Sequence, residues 1–278
     1  MIKVLVDSAS DYTMEEASQK GITILPIEIS IRDTIYKEGV NITRNEFYQL
    51  VSESKIFAKT SLVSPQKFIE VFEQEKQVGN EVIYISLSSG LSGTYNSAVL
   101  AKSGVEYDKI YLIDSLSASY AIRVLVEQAL KRIRENWTVE QIVEELQALK
   151  GRITIYAYLD TLEYLKKGGR ISSTTAFIGE LVNIKPVITI NRKGVIEVVA
   201  KSLGKNRSIA AMINLLKERQ ISKEYPIYLL YSYGNVNCEA FRQKLEEYSI
   251  CCNETLQIGP TIGAHIGPEA FGIVFVEN

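Results

Sequence analysis

Short runs of β-branched and aromatic residues recur through the first half of the chain: "IKVLV" (2–6), "ITILPIEISI" (22–31), "EVIYISL" (81–87) and "KIYLID" (109–114). Runs this short and this apolar predict strands buried on both faces. The segments between them, such as "TRNEFYQLVSES" and "PQKFIEVFEQEKQVG", space their apolar residues three and four apart, as a helix with one buried face requires. Strand alternating with helix predicts a parallel sheet covered by helices. Two further helices, "AIRVLVEQALKRIREN" and "TVEQIVEELQALKG", follow; the second starts at a Thr138 cap with Gln141 three residues on and ends at Gly151. A boundary is expected there, giving an N-terminal α/β domain over 1–151 and a C-terminal one over 152–278.

Beyond residue 151 the pattern changes. "RITIYAYL" predicts a strand, "TLEYLKKG" a helix, and a further helix is expected near 173–183. In "KPVITINRKGVIEVVAKS" two strands flank a turn at Asn191–Gly194, which reads as a hairpin. The helix "NRSIAAMINLLKERQ", the strand "PIYLLYSYG", the helix "NCEAFRQKLEEYS" and a last strand "GIVFVE" complete the chain. The hairpin makes the second sheet a largely antiparallel one.

Composition narrows the function classes. With 46% apolar and 23% charged residues over 278 positions, the chain can bury a substantial core. A formal charge of −2 offers no cationic footprint for nucleic acid, which binds by exchange of counterions for Lys and Arg. Cys238, Cys251 and Cys252 lack the spacing of a zinc site or a disulfide framework, so reduced thiols, no metal and a cytoplasmic location are expected. No run of about 20 apolar residues predicts a transmembrane segment.

Chemistry is suggested by where the small polar residues fall. The predicted strands end in "DSAS", "SSGLSGT" and "DSLSAS", and "AKTSLVSP" carries Thr60 and Ser61 before a helix. Open α/β sheets bind ligands beyond the carboxyl ends of their strands, so these clusters point to one crevice, although Ser, Thr and Asp are also ordinary helix caps. "SSGLSGTYNSA" reads as an anion cradle at Ser92; it has no P-loop lysine, and Thr94 replaces the last glycine of a nucleophile elbow. A serine hydrolase or transferase combining Ser92 and His265 with Asp7 or Asp114 is the competing reading. In "YLKKGGRISST", Arg170 follows two glycines that end a helix, which leaves its guanidinium able to meet a carboxylate or phosphate. His265, the sole histidine, sits in the glycine-rich "GAHIGPEAFGI", read as a loop.

Taken together, "DSASDYT", "EGVNITRNEFYQLV", "KTSLVSP", "LSSGLSGTYNSA", "IDSLSAS", "LEYLKKGGRIS", "NIKPVITI" and "GPTIGAHIGPEAFGI" give the chain a resemblance to the DegV family, the fatty-acid-binding subunits of bacterial fatty acid kinase. The resemblance implies two α/β domains enclosing a long-chain fatty acid, and a carrier without its own catalysis or cofactor. It assigns the fatty acid carboxylate to Thr60 and Ser92, with Ser61, Gly93 and Thr94 in support. Arg170 and His265 belong to the same region and to transfer with an ATP-binding fatty acid kinase subunit. Ala118, Ala121, Ile122 and Tyr158 are expected along the acyl tunnel. A monomer with transient membrane-surface contact is the expected state, and a lipid sensor without a kinase is the remaining alternative. Two departures stand out: Glu269, close to His265 in sequence, and "YAIRVLV" after "DSLSAS".

Overall fold

The computed structural model describes residues 1–54, 56–171 and 184–278. The first part runs β1 (Ile2–Asp7), α1 (Met14–Lys20), β2 (Ile22–Leu25), β3 (Glu28–Ile31), β4 (Thr34–Lys37), α2 (Arg44–Ser54), β5 (Lys59–Ser61) and α3 (Pro65–Val78). It continues with β6 (Glu81–Ser86), α4 (Thr94–Val105), β7 (Ile110–Asp114), α5 (Tyr120–Arg134) and α6 (Val139–Leu149). Then come β8 (Ile153–Tyr158), α7 (Glu163–Lys167), β9 (Ile184–Ile190), β10 (Ile196–Leu203) and α8 (Lys205–Lys217). β11 (Tyr228–Tyr231), α9 (Val236–Glu246), β12 (Glu254–Gln257), α10 (Pro260–Ile266) and β13 (Phe271–Val276) end the chain. The helix expected near 173–183 lies outside the described residues.

β2-β1-β6-β7 form a four-stranded sheet, parallel throughout, and β10-β9-β8-β13-β11-β12 a six-stranded one, antiparallel except between β11 and β12. This is the mixed α/β class that the patterning predicts. One expected strand, 22–31, is two: β2 joins the parallel sheet, while β3 pairs with β4 and β5 in a small antiparallel sheet. Pro26 separates them, and a residue without an N–H cannot continue a ladder. The small sheet matters because its register sets Thr60 opposite Ile29.

Side-chain alternation gives the six-stranded sheet two apolar faces. Tyr156, Tyr158, Phe271, Ile273 and Phe275 pack beneath Met212 of α8 and Phe241 of α9. Val274, Val276, Ile188 and Leu230 face the other way, into the core shared with the parallel sheet. α5 lies within that shared core, touching β1 and β6 on one side and β8 and β13 on the other, so its first half is buried all round. The capping box at Thr138 and Gln141 forms as its spacing predicts; the helix runs into a 3-10 turn at Lys150–Arg152 before β8.

Candidate functional site

Between the inner face of the six-stranded sheet and the loops after β6 and β7 lies a cavity of about 830 Å³, its opening included. Its wall is mainly aliphatic: Ile155, Ala157, Ile188 and Leu230 from the sheet, and Leu87, Leu91 and Ala118 from the loops. Ile262 and Ile266 close it from α10. Polar side chains reach this wall from Thr60, Ser92, Ser119, Arg170, Thr189, Thr261 and His265.

Four of these come from segments far apart in the chain. His265 is not in a loop: Gly259 caps α10, Pro260 takes its first position, and Gly267 ends it at φ +80. Near the end of α10, His265 Nε2 lies 2.8 Å from Thr60 Oγ1, joining the small sheet to the C-terminal segment. The other ring nitrogen, Nδ1, is buried with no hydrogen-bond partner among the described residues. Gly168, at the end of α7, packs against it, and a Cβ there would collide with Nδ1. Burial, reinforced by the positive charge of Arg170, pushes the imidazole down to about 4, so the ring is neutral at pH 7.

Arg170 leaves α7 through Gly169, at φ +71, and lies across the loop after β6. Its Nε donates to Leu91 O at 3.0 Å, and Nη1 donates to Gly168 O. A guanidinium has five N–H groups, so these two bonds fix its orientation and, among the described residues, leave donors for an anion. Burial lowers its pKa, and no carboxylate forms an ion pair with it among the described residues. Ser92 follows Leu91; its hydroxyl lies 2.9 Å from Thr94 Oγ1 and accepts from Thr94 N at 3.2 Å. The site therefore holds hydroxyls, a neutral imidazole and a cation around an apolar space. Such a set suits an amphiphile with an anionic head: the head keeps hydrogen bonds on leaving water, and the tail loses contact with water.

The remaining expectations divide. Ala118 lines the cavity. Ala121 and Ile122 do not: they sit inside the helix between the two sheets and belong to the common core. Tyr158 is on the wrong face, stacked on Phe271 at 4.6 Å between ring centroids with its hydroxyl on Asp160, while its neighbour Ala157 faces the cavity. Thr94 is buried behind Ser92, where Oγ1 accepts from Val63 N at 3.3 Å, and Gly93 caps α4 from an exposed position. Ser61 is exposed at the end of β5, away from the cavity wall. Glu269 turns to Asn237, 3.3 Å from its Nδ2.

The triad of a serine hydrolase is not assembled. Asp7 accepts from Ala9 N, Leu87 N and the Tyr84 hydroxyl, and Asp114 accepts from Ser89 N and Leu116 N. Neither reaches His265, whose hydrogen-bonded nitrogen is on Thr60. Three polar residues of the wall are not singled out by the sequence: Thr261, four positions before His265 on the same face of α10, Ser119, at φ +60 before α5, and Thr189 on β9. The i, i+4 spacing of Thr261 and His265 is a usable signal only once that segment is read as a helix.

Comparison with known proteins agrees with this architecture. A family model described as "Uncharacterised protein, DegV family" matches residues 1–278. A DegV domain-containing protein of Caldanaerobacter subterraneus subsp. tengcongensis is 35% identical over 283 aligned positions, covering 100% of this chain and 99% of the relative. Among solved structures, a DegV family protein from Thermus thermophilus described by its fatty acid binding superposes with a TM-score of 0.87 at 28% identity, covering 100% and 99% of the two chains. A stearic acid-binding protein from Eubacterium ventriosum gives 0.87 at 29% identity, with 100% and 98% covered. With the whole chain matched by the family model and by a relative of this identity, the protein belongs to the DegV family.

Proposed function

We propose that this chain is a carrier for a long-chain fatty acid, with the tail in the cavity and the carboxylate among Thr60, Ser92, Arg170 and His265. The observation that carries the reading is the conjunction of an aliphatic cavity with hydroxyl groups on its wall and a cation, Arg170, that pairs with no carboxylate among the described residues. Burial of an acyl chain contributes about 0.8 kcal/mol per methylene, so a sixteen-carbon tail supplies roughly 12 kcal/mol before ordering costs. The fatty acids named with the similar structures support the same ligand class. In this reading residues 1–151 and 152–278 are the two units that enclose the ligand, and the protein acts as a monomer.

The carrier presents its carboxylate to a separate ATP-binding kinase subunit. A carboxylate oxygen attacks the γ-phosphorus of ATP held by that subunit; the new P–O bond gives an acyl phosphate, and the bond to ADP breaks. Arg170 faces the charge that develops on the transferred group. Extraction of the purified, denatured protein with organic solvent, followed by mass spectrometry, should yield fatty acid. Absence of lipid together with no binding of added palmitate or oleate would sink the carrier reading. Arg170→Ala should slow phosphorylation by a kinase subunit more than it weakens fatty acid binding. Lipid binding without phosphorylation by any such subunit would instead favour a sensor.

A further inference from the structure

Behind α10, away from the cavity, lies a charged cluster that the carrier reading does not use. Asp11 is fully buried and Glu38 is 8% exposed, and they face the start of the helix. Gly259 N donates to Asp11 Oδ1 at 2.9 Å, and the Glu38 carboxylate lies beside the Thr261 N–H. Any side chain at 259 would collide with both carboxylates. The segment itself supplies no capping side chain, since Gly259 and Pro260 occupy the first positions. Acids from elsewhere in the chain thus do the work of a cap.

Arg44 ties the cluster together. Its Nε donates to Glu38 Oε1 at 3.0 Å, Nη2 to Asp11 O at 2.7 Å and Nη1 to Gln257 O at 2.5 Å. One planar fork therefore joins the turn after β1, the segment after β4 and the end of β12, immediately before α10. One bond carries this geometry directly to the cavity wall, Ser119 donating to Asp11 Oδ2; beside it, Thr261 Oγ1 lies 2.9 Å from Ser8 Oγ in the turn after β1. Ser119, Ile258 and Thr261 all line the cavity. The second Glu38 oxygen is buried without a partner among the described residues, a cost kept at this position.

We propose that Arg44, Glu38 and Asp11 are positioning residues that fix the place and axis of α10, and through it hold His265 on Thr60 and Thr261 on the cavity wall. Only the consequence for ligand binding rests on the carrier reading; the placement of His265 does not. A purely structural cluster would lower stability when altered and leave the surroundings of His265 unchanged in the folded fraction.

The sole histidine makes the distinction measurable. Long-range proton–nitrogen NMR of the full-length, nitrogen-labelled chain reports the tautomer and titration of His265 directly. Arg44→Lys keeps the charge and loses the fork. It should change the tautomer balance of His265, raise its titration midpoint by at least one unit, and weaken palmitate binding at least tenfold. Glu38→Gln keeps the shape and should produce a smaller change in the same direction, which covers the case in which Arg44→Lys fails to fold. As a control, Arg132→Lys alters an ion pair with Glu145 that joins the end of α5 to α6 and should leave His265 unmoved. A folded Arg44→Lys or Glu38→Gln protein with the wild-type His265 tautomer and midpoint would overturn the proposal. Failure of both to fold would overturn it too, by making the cluster a folding requirement. A shifted His265 in a protein whose wild type binds no fatty acid would leave the positioning role standing and remove the carrier reading.

Discussion

The tips of the parallel sheet and the helix facing them both gather polar side chains, but they spend them differently. At the tips, Asp7 accepts three hydrogen bonds, Asp114 accepts two, and Ser88 Oγ donates to Gly194 O at 2.7 Å. Across the cavity, His265 keeps a buried nitrogen without a partner among the described residues, and Arg170 carries a charge that no carboxylate there pairs with. The first cluster shapes loops; the second has capacity left for a ligand. Polar residues at strand ends thus mark a site only where their hydrogen bonding is not already used by the turns they stabilise.

Asp7→Ala should break the first cluster with the largest effect. It leaves Ala9 N, Leu87 N and the Tyr84 hydroxyl without their acceptor inside the protein, and should cost about 3 kcal/mol or more in urea unfolding. A loss below about 1 kcal/mol would mean that these donors find other partners, and that the two clusters are not as different as they look. Ser92, in the loop after β6 but with its side chain on the cavity wall, should move a different observable when changed to Ala. Its expected loss is about 1–2 kcal/mol in fatty acid affinity by calorimetry, with little change in unfolding. A stability loss without an affinity loss would return Ser92 to the company of Asp7.

The clusters should also differ in the sign of their pH dependence. Burial raises the Asp7 carboxyl from 3.8 to about 6, so the folded state holds its proton more tightly than the unfolded state. That contribution is present below pH 3.8 and lost as pH rises through about 6. His265 is lowered from 6.5 to about 4, so its contribution is present above pH 6.5 and lost as pH falls through about 4. Between these limits, Asp7→Asn should make stability rise more steeply with pH, and His265→Gln should make it rise less steeply. Slopes changed in the same direction by both variants would show that one of the two environments has been assigned the wrong cause.

What the sequence discloses follows the range of the forces involved. The Thr138 capping box and the turn at Asn191–Gly194 are local, and both form where their residues fall. Thr60, Ser92, Arg170 and His265 were legible as candidates because small hydroxyls, a post-glycine arginine and a lone histidine are conspicuous. Their convergence depends on pairings such as Thr60 with His265, 205 positions apart, which no local pattern encodes. α10 was hidden by its glycines: Gly263 is there because the Tyr48 ring fills the space of a side chain, not because the chain turns. Asp11, Glu38 and Arg44 each look like ordinary surface charges until the fold buries them together.

The smallest expected effect tests the face on which a residue lies. β8 alternates Ile153, Ile155 and Ala157 with Thr154, Tyr156 and Tyr158, but both sets are packed, so the alternation alone does not tell the cavity face from the face beneath α8 and α9. Its pairing with β13 decides: Tyr158 lies opposite Phe271 and packs with it in the outer core, and Ala157 opposite Gly272 looks into the cavity. Tyr158→Phe removes only a hydroxyl held 3.2 Å from Asp160, so fatty acid affinity should stay within about twofold, the scatter expected of a distant substitution. Ala157→Leu, one residue earlier, fills part of the cavity and should shift preference towards shorter acyl chains. If Tyr158→Phe altered that preference and Ala157→Leu did not, the tunnel would run along the opposite face of the sheet, and the polar cluster around His265 would no longer stand at its wall.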